Sequence, residues 1–190
     1  MRSGWMAAGL VVWAGMASAE PRTYRLDPSH SQVLFSYNHL GYSTTWGMFS
    51  GFDGDILFDR NNPAGSSVSV SIPTVSMFTG WQARFDAFTS PDFLDAAAHD
   101  MITFTSTAIE VTGETTALIS GDLTLNGVTR TVVLDARLNQ AAPHPMEARD
   151  WAGFDATTTL NRSDFDMGQF APFISDEVEL RISVEAFAVE

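Results

Sequence analysis

Gly121-Asp122-Leu123-Thr124-Leu125-Asn126-Gly127-Val128-Thr129-Arg130 holds at its centre the Asn-Gly pair of a two-residue type I′ turn, in which both central residues take φ > 0. Alternating apolar residues flank that pair, Ile119, Leu123 and Leu125 before it and Val128, Val132 and Leu134 after it. A long antiparallel β-hairpin with one buried face is predicted. The alternation recurs along the chain. Val33, Phe35, Tyr37 and His39 share one face of the stretch 32–39, and Val178, Leu180, Ile182, Val184 and Ala186 share one face of 177–187. Such patterns mark antiparallel strands with one dry and one wet side. Strands are predicted over 24–37, 47–58, 66–75, 101–111, 115–125, 128–139, 151–160 and 176–188, with turn clusters at 59–65 and 141–145. The fold class is all-β. Periodicity alone leaves open whether eight such strands close into a barrel or stack as a Greek-key sandwich.

One stretch departs from this pattern, and a short helical insert is predicted at about 79–98. Thr79 with Gln82 three residues on reads as a capping box. Trp81, Phe85 and Phe88 then fall on one helical face. Ser90-Pro91 reads as the cap and first turn of a second short helix. The aromatic stripe is expected to bury itself on the sheet and cover one end of it.

The N-terminus carries Arg2, an apolar run from Trp5 to Met16, and Ala17-Ser18-Ala19. This is the pattern of a Sec-type signal peptide over residues 1–19, leaving a single domain over 20–190 in the periplasm. The run falls short of the roughly 20 apolar residues of a membrane span, so no stable membrane insertion is expected. Cysteine is absent, and stability must come from burial and strand pairing. The ten basic residues are all arginine against 23 acidic ones, a formal charge of −13. That charge excludes a nucleic-acid partner and disfavours lasting adsorption to anionic bilayers.

Catalytic and metal patterns are scarce. Ser29 adjoins His30, but no G-x-S-x-G elbow occurs. Asp53, Asp55 and Asp59 lack the later glutamate of a calcium loop, and Leu57 occupies a ligand position. His30, His39, His99 and His144 lack zinc-site spacing. No catalytic residue, metal or cofactor is assigned. His30 reads as a structural histidine near a strand end, and Arg162 as a local ion-pair partner for Asp164 or Asp166. The positive signal is aromatic: 14 phenylalanines, several on predicted inward faces or at loop ends, among them Phe35, Phe49, Phe104, Phe154, Phe165, Phe170 and Phe173. Pockets for apolar ligands are lined in this way.

Several blocks together resemble the YceI-like family. The opening stretch resembles its G-x-L-T-[IL]-x-G-V-T signature. Asp27-Pro28-Ser29-His30-Ser31 with Phe35 and His39-Leu40-Gly41 resembles D-x-x-H-S…F…H-L-G, and Gly47-Met48-Phe49 with Gly54-Asp55-Ile56 resembles G-x-F…G-x-I. Ser90 to Asp95, Ile102 to Thr107, and Asn161-Arg162-Ser163-Asp164-Phe165 resemble S-x-D-F-F-D, I-T-F-x-S-T and N-R-S-D-F. The blocks run in family order from about Thr23 to Phe187. The resemblance implies an extended, lipocalin-like eight-stranded antiparallel β-barrel that holds a long-chain isoprenoid, such as a polyprenyl phosphate or quinone, or a similar amphiphile. Its expected ligand contacts are Val33, Phe35, Tyr37, His39, Phe49, Phe104, Phe154, Phe165, Leu180 and Ile182, with Trp81, Phe85 and Phe88 closing one end. The other class of reading is a secreted enzyme acting on a lipid-like substrate inside the barrel. The oligomeric state is open, with a homodimer as one option. Where related chains carry D-x-H-L, this one has Phe85-Asp86-Ala87-Phe88, and Asp100 replaces a proline. The insert is thus more apolar than the family pattern, which leans toward a neutral lipid.

Overall fold

A computed structural model describes residues 20–189, and the expected leader at 1–19 lies outside the described residues. Ten strands follow one another as β1 (Arg22–Leu26), β2 (Gln32–His39), β3 (Ser43–Phe49), β4 (Asp53–Phe58), β5 (Ser67–Pro73), β6 (Met101–Val111), β7 (Thr116–Leu125), β8 (Val128–Pro143), β9 (Asp150–Asn161) and β10 (Glu177–Ala188). One helix, α1 (Gln82–Thr89), lies between β5 and β6. Each neighbouring pair is antiparallel, in the order β1-β4-β5-β6-β7-β8-β9-β10, and β10 pairs back onto β1. That ring is a closed eight-stranded barrel.

The two remaining strands extend the barrel at one end. β10 pairs with β1 through Ala186 to Ala188 and with β2 through Glu179 to Ser183. β1 and β2 are thus two parts of one stave, and β3 and β4 are two parts of the next. The predicted strands 24–37 and 47–58 are each split, and local chemistry explains both breaks. Pro28 has no N–H for a ladder, and the Asp27 carboxylate accepts hydrogen bonds from the amide and hydroxyl of Ser29, making a turn. Ser31 bridges that break by donating to the Glu185 carbonyl and accepting from its amide. The second break falls at Gly51, whose φ is +70°.

The β7–β8 hairpin forms as predicted. Leu125 pairs with Val128 across Asn126 and Gly127, whose φ values are +51° and +72°. β8 runs further than predicted: the ladder to β9 continues through Pro143 and Asp150, so 141–143 is strand and the turn lies at 144–149. That ladder begins only at Asp135 and Thr157, so β8 from Val128 to Leu134 has no partner on β9. A 3-10 turn at Arg162–Phe165 fills the gap, and Asn126 Nδ2 donates to the Phe165 carbonyl at 3.1 Å.

Strand connections alternate between the ends. One end carries the β2–β3 turn, Asn126-Gly127, the segment 162–176 and the insert with α1; it is called the helical end here. The opposite end carries the loops 59–66, 112–115 and 144–149. Two apolar clusters follow this division. Tyr24, Leu26, Phe52, Ile56 and Phe58 pack in the barrel proper, and Phe35, Tyr37, Met77, Leu94, Phe165 and Met167 pack toward the helical end.

Candidate ligand-binding cavity

Strand parity points one side chain in two at the barrel axis. The inward set is mostly apolar: Leu134, Ala136 and Leu138 on β8, Phe154, Ala156, Thr158 and Leu160 on β9, and Leu180, Ile182 and Val184 on β10. Apart from Ala136, which is buried, these residues are only partly buried because a space remains between them. It is a cavity of about 450 Å³ running along the barrel, from Phe88, Leu94 and Met167 at the helical end to Arg60, Glu114 and Thr115 at the other. That volume lies within the roughly 300–1,000 Å³ typical of small-molecule sites. Glycine keeps two rings in place along the wall. A Cβ at Gly47 would lie 2.2 Å from the Phe35 ring, and one at Gly121 would lie 2.4 Å from the Phe104 ring. Each ring lies flat across a strand where any larger residue would displace it.

Ten of the thirteen residues singled out from the sequence line this cavity: Val33, Phe35, Tyr37, Phe49, Phe88, Phe104, Phe154, Phe165, Leu180 and Ile182. Three do not. His39 shares the parity of Tyr37, but β2 outruns the barrel there, and His39 bridges instead to Ile174 in the loop before β10. Trp81 is the N-cap residue of α1 and is 64 % exposed. Phe85 packs on the cluster at the helical end without reaching the cavity.

The insert itself differs from expectation. The capping box does not form, because the Thr79 hydroxyl donates to the Trp81 carbonyl while Gln82 donates to Asp86. With Trp81 at the cap, the helix starts at Gln82 and no residue of it is fully buried. The segment after Ser90 forms turns rather than a second helix: the Ser90 hydroxyl and amide both donate to the Ala87 carbonyl, ending α1. Phe93, in those turns, is a cavity residue that helical periodicity does not reveal.

Arg162 was also misread by charge pattern. Its guanidinium donates to the carbonyls of Met167, Gln169, Ile174 and Ser175, and no ion pair joins it to Asp164 or Asp166 among the described residues. Burial pushes its pKa down, opposed by the charge of Asp176. Asp176 in turn accepts from the amide and hydroxyl of Ser163. The segment 166–176 is therefore hung on one half-buried cation and closed by the Ser163–Asp176 contact. At the cavity's other end, Arg60 donates to the Ala141 carbonyl.

The one tight group of polar side chains near a strand break is Asp27, Ser29 and His30. His30 Nδ1 lies 2.6 Å from an Asp27 oxygen and 3.1 Å from Ser29 Oγ. Serine and aspartate thus meet the same ring nitrogen, whereas a catalytic triad needs them on opposite nitrogens. A Glu185 carboxylate oxygen joins an Asp27 oxygen and a His30 ring nitrogen, these three atoms lying within 4.8 Å of one another. Burial raises the Asp27 pKa, but hydrogen bonds from His30 and Ser29 outweigh it and hold the carboxyl below its ordinary value. The same hydrogen bond, helped by the charges of Asp27 and Glu185, raises the His30 pKa. A raised histidine stabilises the fold fully below its unfolded pKa and loses that contribution as pH rises through the folded one. A lowered aspartate contributes above its unfolded pKa and loses that contribution as pH falls through the folded one. The pair therefore contributes most between the ordinary values of 3.8 and 6.5. The melting-temperature difference between wild type and His30→Ala should be largest near about pH 5 and shrink toward about pH 8. A difference that grows across that range would contradict the pairing.

A closed, extended β-barrel around an apolar axial cavity has room to enclose a hydrophobic small molecule. The YceI-like domain model matches residues 24–186, and the chain belongs to that family. A UPF0312 protein of Ectopseudomonas mendocina is 41 % identical over 180 residues, covering 95 % of this chain and 94 % of its own. Protein YceI of Escherichia coli O157:H7 is 40 % identical over 182 residues, covering 96 % and 94 %. Among solved structures, BcnA of Burkholderia cenocepacia superposes with a TM-score of 0.77 at 25 % identity, over 85 % of this chain and 99 % of that one. A polyisoprenoid binding domain of Saccharophagus degradans, implicated in plant cell wall breakdown, superposes at 0.69 over 87 % and 98 %; at 17 % identity it bears on the fold alone.

Proposed function

We propose that this protein is exported through a cleaved leader and holds one long-chain isoprenoid, or a similar amphiphile, in the barrel for carriage or storage in the periplasm. The observation that carries the reading is the cavity: continuous from end to end, walled by aliphatic and aromatic side chains, and about 450 Å³ in volume. Affinity comes from burial of the chain. Each methylene contributes about 0.8 kcal/mol, so twenty carbons contribute about 16 kcal/mol, above the roughly 4–15 kcal/mol that association costs. The walls are mostly aromatic edges and methyl groups, which supports a binder over an enzyme; Arg137 and Asp155, which border the cavity, are cross-strand neighbours on β8 and β9. Charged groups reach the cavity at both ends, Arg60 and Glu114 at one and Arg162 at the other, where an amphiphile's head would sit. The N-terminal pattern of residues 1–19 and the lack of cysteine support export without disulfides.

The test is a series of all-trans isoprenoid alcohols of increasing length, read by displacement of an apolar fluorescent dye. Affinity should rise about tenfold or more with each added isoprene unit until the cavity is full, then level off. An affinity that does not depend on length would sink the reading.

A further inference from the structure

We propose that the helical end of the barrel is a docking surface for an electrically neutral lipid bilayer, through Leu40, Tyr42, Phe170 and Phe173. This rests on the carrier reading above and names where the lipid is exchanged. Those four side chains are 48 %, 89 %, 58 % and 73 % exposed, on two loops, β2–β3 and the segment before β10. The loops are joined: the Leu40 amide donates to the Phe173 carbonyl, the Asn38 amide to Ser175 Oγ, and the Ser175 amide to the Asn38 carbonyl. The four residues thus form one patch rather than scattered apolar exposures. Patches of this kind on a soluble domain mark a place of contact.

Two observations say what that contact is. First, the patch is continuous with the cavity. Tyr37 and Phe88 have ring centroids 5.9 Å apart, Phe88 and Phe93 5.6 Å, and Phe93 and Phe170 6.4 Å. An aromatic path therefore leads from the cavity wall to an exposed ring at the rim, along which an apolar chain stays in apolar contact. Second, the two loops that carry the patch are uncharged, although exposed acids stand elsewhere at this end, among them Asp86, Asp92, Asp164 and Asp166. The chain has a formal charge of −13, yet residues 28–52 and 167–175 contain no Asp, Glu, Lys or Arg. The stretch 61–83, which brings Phe78 to pair with Met48 on β3, contains none either. Exposed Tyr and Phe on uncharged loops match the headgroup boundary of a bilayer, where amphipathic rings settle. The acidic remainder repels an anionic surface, so the matching bilayer is zwitterionic.

The test is flotation with phosphatidylcholine vesicles, together with transfer of a dansyl-labelled isoprenoid alcohol from those vesicles to the protein. Wild type should float, and Tyr42→Ser combined with Phe173→Ser should float at least tenfold less and accept the probe at least tenfold more slowly. Affinity for the same probe in vesicle-free buffer should change less than twofold. Replacing a third of the lipid by phosphatidylglycerol should weaken flotation at low salt. Wild type that binds the probe but does not float, a double variant that floats as well as wild type, or stronger binding to anionic vesicles would each overturn the docking proposal. So would a double variant that converts a dimer to a monomer, since the patch would then cover a second copy of the chain. Flotation that depends on the two residues, with no probe bound by either protein, would instead leave the docking surface standing and remove the carrier reading.

Discussion

Leu180→Glu should cost the protein its bound lipid. Leu180 lies inward on β10, between Phe35 of β2 and Thr158 of β9, and lines the cavity. A carboxylate there must give up its hydration to face hydrocarbon, which costs several kcal/mol unless the group is protonated or reaches water. With the chain as competitor for the same space, folded Leu180→Glu should retain less than about a tenth of the wild-type lipid, a difference of about 1.4 kcal/mol or more. Glu179→Gln, one residue away and exposed on the outer face, should alter neither lipid load nor stability by more than about 0.5 kcal/mol. Ile182→Thr, which trims the cavity wall without adding charge, serves if Leu180→Glu does not fold, and should lower affinity about tenfold. Full lipid load in either inward variant would place the ligand outside the barrel.

Arg162→Met should be the most damaging single change at the helical end. It keeps side-chain length while removing every hydrogen bond from the guanidinium to the carbonyls of Met167, Gln169, Ile174 and Ser175. Each such bond from a charged donor is worth about 1.5–3 kcal/mol when its partner is buried. Because part of the loop can rehydrate, the expected loss is about 3 kcal/mol. In a domain of this size that corresponds to a fall in melting temperature of about 6–12 °C. Arg162→Lys should recover less than half of it, since an ammonium cannot fork across four acceptors. A fall below about 2 °C for Arg162→Met would show that the segment is held by its backbone contacts alone.

Where fold and site were legible in the sequence, the cause was short-range. Asn126-Gly127 demands φ > 0 at both positions, so the turn and the register around it follow from two residues. Inward parity on β10 is read directly from alternation because that strand is paired along its whole length. His39 shows the limit of parity: the alternation continues past Tyr37, but the barrel does not. The insert was misread because helix starts depend on a single residue. Gly80, at φ +73°, turns the chain so that Trp81 becomes the cap, and the expected box at Thr79 has nothing to close on. Phe93 carries no periodic signal, since it sits in turns, and only the S-x-D-F-F-D resemblance marks its neighbourhood. Arg162 bonds to carbonyls up to thirteen residues away, and carbonyls are identical in every sequence. Pro28 and Gly51, which split two staves, were visible as residues; that the chain would resume along the same staves depended on β10, which pairs with both β1 and β2, and on β1 and β2 themselves, which pair with β4 and β3.

The account stands on the claim that the barrel interior is occupied by a lipid chain in the cell. Native mass spectrometry of the protein released from the envelope of its own host tests that claim most directly. The account predicts a chain beginning at Glu20 that carries a single adduct, released by organic solvent as a long-chain isoprenoid or similar amphiphile and absent from folded Leu180→Glu. A correctly folded protein that leaves the same envelope without any adduct, and takes none up from isolated membranes, would contradict it.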